Sequence, residues 1–98
     1  MSYDAREACA ALARTFPSLE GAPGLQEGVY PDLLALDAWA ATLDRWDGQR
    51  EAVQFVLHLF DGSREWACGR FHLRGAVTCW DDEHKAAFAA WARHPVVF

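Results

Sequence analysis

Apolar residues recur at helical spacing in five stretches of this 98-residue chain. The clearest is 82–93, where Ala87, Phe88 and Trp91 share a face with His84. Alanine, the best helix former, fills most of its other places. Asp81 precedes the stretch as an N-cap, and Asp82 and Glu83 stand where the positive end of a helix dipole favours acids. Pro95 ends it, because a proline pushes the residue before it out of the helical region. Near the start, Ala8 or Cys9, Leu12 and Phe16 predict a helix over 4–16, opened by Asp4 and Glu7 in capping-box spacing. Leu36, Trp39, Leu43 and Trp46 predict another over 32–46, behind Pro31, with Asp37 an alternative cap for a shorter version.

The stretch 49–60 is apolar around much of its circumference. Ala52, Val53, Val56, Leu57 and Phe60 make one face, and Phe55 and Leu59 widen it, so this helix belongs at the centre of a bundle. Asp47 is its expected N-cap, and Gly62 is placed to take a left-handed C-cap. For 69–79 two periods compete. Leu73, Ala76, Val77 and Trp80 fit a helix, whereas Phe71, Leu73, Val77 and Cys79 alternate around Arg74-Gly75 as a hairpin would. A lone hairpin is marginal in water, which favours the helix. The predicted fold is therefore an all-α compact bundle of about five helices in a single domain. The alternative is α+β with a hairpin at 67–80. Residues 17–31 hold three Pro and three Gly and read as a long loop, tacked to the core by Leu25, Val29 and Tyr30.

Charge changes the picture in one respect. The net charge is −5, and the first 49 residues account for it with eight acids against three arginines. No basic stripe is visible, which argues against nucleic acid as a partner. The three cysteines, at 9, 68 and 79, make no disulfide framework. No signal peptide or membrane-spanning run is present, so the expected location is the cytoplasm, with reduced thiols.

The stretch from 50 to 94 contains Cys68-Gly69-Arg70-Phe71, then Trp80-Asp81-Asp82-Glu83-His84-Lys85, then Ala87-Phe88 and Trp91-Ala92-Arg93. It resembles small bacterial proteins with a CGRF…WDxxH[KR]xAFxxWAR pattern, a family to which no function is attached. The resemblance implies no activity, cofactor or partner.

Candidate chemistry is sparse. Cys68, His72, Cys79 and His84 supply zinc-type donors, but their spacing matches no common zinc module. Cys79, His84 and Asp81 can be drawn as a thiol nucleophile with its base, although the acids after Cys79 oppose a thiolate. Helix capping accounts for Asp81, Asp82 and Glu83. A DNA-binding helix pair at 69–79 and 82–93 would turn acids toward phosphate, and Arg64, Arg70, Arg74 and Arg93 form at most a local patch. Five Trp is many for this length. Trp39, Phe88 and Trp91 fall on inward stripes, while Trp46 and Trp66 stand at element ends.

The leading expectation is a cytoplasmic protein–protein interaction module, with a protein partner or a second copy of the chain, and no cofactor. Its expected contact residues are Trp46, Trp66, Arg70 and the tail Val96, Val97 and Phe98. A small metal-dependent or thiol enzyme built on Cys68, His72, Cys79 and His84 is the alternative, and a DNA-binding regulator comes third.

Overall fold

The structure is a computed structural model that describes residues 3–98. Among these residues there are five α-helices and no strand. They are α1 (Ala5–Ala13), α2 (Leu33–Ala41), α3 (Gly48–Phe60), α4 (Leu73–Cys79) and α5 (Asp82–Arg93). The bundle is compact, with a radius of gyration of 12.4 Å.

Local chemistry sets each boundary. Asp4 caps α1 by accepting from the backbone amides of Arg6 and Glu7, at 3.0 and 3.3 Å. The helix ends at Ala13 rather than 16, because Pro17 holds Phe16 extended and opens a 3₁₀ turn over Pro17–Leu19. Asp32, not Asp37, caps α2, accepting from the Ala35 amide at 3.0 Å. That helix stops at Ala41, five residues before the predicted end. Thr42 Oγ1 donates to the Trp39 carbonyl at 2.6 Å, and the Asp44 side chain accepts from the Trp46 amide at 3.1 Å. Both bonds offer the backbone an alternative to continuing the helix. Trp46 thereby leaves its stripe.

Asp47 caps α3 at the Gln49 amide, 2.8 Å away. Every residue from Glu51 to Leu57 is buried, as the all-round apolar pattern requires, and α3 packs against α1, α2, α4 and the 3₁₀ turn. Its C-cap is Asp61 in extended geometry, so Gly62 does not play the expected left-handed role. The hairpin alternative at 67–80 is excluded by α4. That helix begins at 73 rather than 69, because Gly69 takes φ +92 and breaks the helical path. The α5 boundaries match the prediction, with Asp81 capping the His84 amide at 2.9 Å.

The core is centred on Trp80, which is 4% exposed. Its ring lies 5.4 Å from Phe16, 6.0 Å from Phe71 and 5.7 Å from Phe88. Phe55 of α3 joins the cluster and packs edge-on against Trp91 at 5.0 Å. The Trp80 indole N–H donates to the Gly48 carbonyl at 3.0 Å, fastening the end of α4 to the start of α3. Such aromatic pairs add about 0.5–1.5 kcal/mol each beyond burial. The 17–31 loop is held by Leu19, Ala22 and Leu25, all buried. Val29 and Tyr30, expected to anchor it, are exposed. Tyr30 instead donates through its hydroxyl to the Asp4 carboxylate. Gly24, at φ +86, is required there, since a Cβ would run into the Asp32 carbonyl.

Candidate functional site

A groove of 780 Å³ lies between α3, α4 and the segments that precede them. Its geometry begins at Asp37. This residue is 7% exposed and sits within α2, where its carboxylate accepts from the amides of Ala67 and Cys68, both at 2.9 Å. The bonds fix the backbone at Cys68. The Cys68 carbonyl then accepts from Arg50 Nε at 3.1 Å and from Gln54 Nε2 at 2.6 Å. A second Arg50 nitrogen donates to the Leu43 carbonyl at 2.8 Å. Two side chains of α3 are thus pinned along one wall.

The groove is strongly cationic for an acidic protein. Arg45, Arg50, Arg70 and Arg74 line it, against Glu51 alone among the acids. Of nine basic and fourteen acidic residues in the chain, these five leave an excess of three positive charges in one place. Trp46 stands on the wall with 67% exposure. A smaller depression of 230 Å³ continues past Gln54, Gly69, Arg70 and His72 to Trp66. There the Arg64 guanidinium lies 4.6 Å over the indole, whose N–H donates to the Asp61 carbonyl at 3.1 Å.

Glu51 is the unusual member of this set. It is 6% exposed, and burial raises its carboxyl pKa, with His72 and Arg50 opposing the rise. A carboxylate removed from water must find partners or favour its protonated form. Glycine at position 75 makes the placement possible, because a Cβ there would lie 2.8 Å from Glu51 Oε1. That close approach accounts for a glycine in the middle of a seven-residue helix.

The residues singled out in the sequence divide. Trp46 and Arg70 both line the main groove, and Trp66 lies at the far end of its extension. The tail folds back. The Phe98 amide donates to the Leu59 carbonyl at 3.3 Å and its ring packs on the core, while Val96 and Val97 stay exposed. Cys68, His72, Cys79 and His84 do not converge, and among the described residues no group of three or more His, Cys, Asp or Glu is placed to hold a metal ion. Cys68 is fully buried, whereas His84 lies at the start of α5 against Ser18 and Phe16. The thiols are poorly suited to nucleophilic work. Burial pushes Cys9 and Cys68 up to about 12. Cys79 is raised by desolvation and by Glu51 and Asp47, not by the acids that follow it in sequence.

His84 and Asp81 are nevertheless paired. The ring Nδ1 lies 2.7 Å from Asp81 Oδ1, and Nε2 lies 2.5 Å from Ser18 Oγ. With Nδ1–H donating to the carboxylate, Nε2 accepts from the serine hydroxyl, an assignment made from the partners. The chain ties the 3₁₀ turn to α5 and leaves Cys79 out. These bonds also hold the Asp81 carboxyl below its usual range, the backbone amide of His84 contributing most.

Sequence reasoning missed Glu51, Gln54, Asp37 and Ser18. For the first two a signal was present: a carboxylate and an amide, three residues apart, fall in a 51–57 run whose other members are all apolar. Among the described residues no helix is long and apolar enough to cross a membrane. No protein-family model matches the chain, and comparison with curated proteins and with solved structures gives no match.

Proposed function

We propose that this protein is a binding module whose working surface is the α3–α4 groove, and that the groove takes a small organic anion. The observation that carries this is the gathering of Arg45, Arg50, Arg70 and Arg74 beside exposed Trp46 in a chain of net charge −5. Its volume falls within the several hundred Å³ usual for small-molecule sites, and it combines an aromatic wall with a few fixed polar groups. Arg50 is held by backbone carbonyls, so its charge is placed before any ligand arrives, and Arg70 and Arg74 provide forks suited to phosphate or carboxylate. We place the protein in the cytoplasm, where its three free cysteines remain reduced.

The test is a titration of the ¹⁵N-labelled protein with pyrophosphate, followed by NMR. The Trp46 indole and the Arg50 and Gln54 side-chain resonances are expected to shift. The response should weaken with added salt and vanish in the Arg70→Glu/Arg74→Glu variant. Groove resonances that stay fixed, or a shift that survives the double variant, would remove the assignment.

A second reading, the protein–protein interaction module expected from composition, draws on a different observation. Leu73 and Val77 stand at i and i+4 on α4 with 51% and 47% exposure. An exposed aliphatic pair on one helix face is the kind of apolar surface that a partner or a second copy would cover. Native mass spectrometry decides it. A wild-type chain that is already a bare monomer counts against self-association, and a dimer lost in the Leu73→Ser/Val77→Ser variant supports it.

A further inference from the structure

The floor of the groove carries unanswered polar atoms. Glu51 Oε2 and Gln54 Oε1 are shielded from water and have no hydrogen-bond partner among the described residues. Both residues line the groove, at 6% and 8% exposure. They stand three apart on α3 and so share a face. The orientation of Gln54 is set by its nitrogen, which donates to the Cys68 carbonyl and leaves the oxygen unused. Buried orphans are costly and rare in folded proteins, so a pair of them in the floor of a cavity calls for a ligand that answers both.

Both atoms are acceptors, so the ligand presents donors. Charge decides which kind. A free ammonium or guanidinium ion would enter the field of four arginines and be repelled. A neutral N–H edge attached to an anion meets both conditions, with the anion on Arg70 and Arg74. Trp46 adds a third requirement, a flat ring to stack on its exposed face. A neutral N–H edge, a planar ring and an anionic group together describe a nucleoside phosphate. Among the bases, guanine sets its N1–H and 2-amino donors side by side, where one carboxylate accepts from both. The remaining amino hydrogen is then free for the Gln54 carbonyl.

We infer that the groove binds a guanine nucleoside monophosphate, with the base edge on Glu51 and Gln54 and the phosphate on Arg70 and Arg74. The inference rests on the groove being the working surface, as proposed above. The Glu51 carboxylate lies against Gly75, which has no side chain to hold it, and its terminal torsion has a broad well, so turning an oxygen toward a ligand costs little. Bound donors also favour the ionised carboxylate, countering the desolvation that raises its pKa.

The experiment compares guanosine 5′-monophosphate, inosine 5′-monophosphate and pyrophosphate on the full chain, with the Trp46 indole and Gln54 amide resonances as reporters. Inosine monophosphate lacks only the 2-amino group. The guanine nucleotide is expected to bind at least about tenfold more tightly than the inosine one, the usual cost of an unmatched acceptor. Glu51→Gln is expected to reduce that preference, the Gln54 carbonyl still accepting one amino hydrogen. Equal binding of the two nucleotides overturns the guanine assignment and leaves the anion groove standing. A response to pyrophosphate with none to the guanine nucleotide does the same. No response to any of the three overturns both readings.

Discussion

Replacing Asp37 with alanine tests whether a single carboxylate inside α2 organises the groove. The side chain accepts two hydrogen bonds of 2.9 Å, from the amides of Ala67 and Cys68. The two amides do not fare alike when it is removed. Ala67 is exposed, so its N–H regains water and the loss is about 0.5–1 kcal/mol. Cys68 is fully buried, so its N–H is left without a partner, at about 1–3 kcal/mol. The sum is about 3 kcal/mol, a large part of the roughly 5–15 kcal/mol that holds a domain of this size together. It corresponds to a fall in Tm of about 10–20 °C. The assay is urea unfolding followed by circular dichroism, with the wild-type slope retained so that the change in midpoint reports stability. Asp37→Asn keeps one acceptor and should lose about half as much. A loss under about 0.5 kcal/mol for the alanine variant, the range of an ordinary surface change, would show that the Asp37 bonds are not what positions Cys68.

Other outcomes follow from the same geometry. Trp80→Ala removes the centre of the aromatic cluster and should cost about 3–5 kcal/mol, whereas Trp46→Ala, at an exposed ring, should stay within about 0.5 kcal/mol in thermal melts. Gly75→Ala should fail to deliver the gain of about 1 kcal/mol that helix propensity promises, because the new methyl meets the Glu51 carboxylate; in a Glu51→Ala background the gain should return, and a double-mutant cycle showing no coupling would contradict the packing. The raised Glu51 pKa means the native state holds its proton more tightly than the unfolded chain does, so this group subtracts stability as pH rises through the unfolded value toward the folded one. Glu51→Gln should therefore stabilise the protein more at pH 7 than at pH 4, and the reverse ordering in paired urea melts would rule out a desolvated carboxylate.

How much of this was legible in the sequence depends on how local the cause was. The 82–93 helix was readable to the residue, because Asp81 and Pro95 act within one turn of its ends. The end of α2 was not, because the Leu43 and Trp46 stripe continued past a stop made by the Thr42 and Asp44 side chains, whose hydrogen bonds no apolar pattern encodes. For α4 the glycine at 69 was visible, but only its φ of +92 reveals that the helix cannot start there. Trp46 and Arg70 were named from position and composition, and the fold brings both to the groove. Of the four arginines weighed as a local patch against a solvated face, Arg70 and Arg74 line the groove, Arg64 lines its extension, and Arg93 lines neither. Glu51 and Gln54 were passed over because a polar residue on an apolar helix ordinarily faces water; only the packing of Gly75 and Cys68 around α3 shows that these two do not.

The central place of α3 bears on how the chain folds. Its principal packing partners, α1, α2, α4 and the 3₁₀ turn, flank it on both sides in sequence. No half of the protein can bury the Glu51–Leu57 run without the other, so neither half contains a self-sufficient core. Unfolding should be a single all-or-none transition, with probes on the first and last helices losing signal together. Because α1 reaches α3 across more than thirty intervening residues, that collapse waits on a long loop closure, and folding should be slower than in a helical hairpin of the same size.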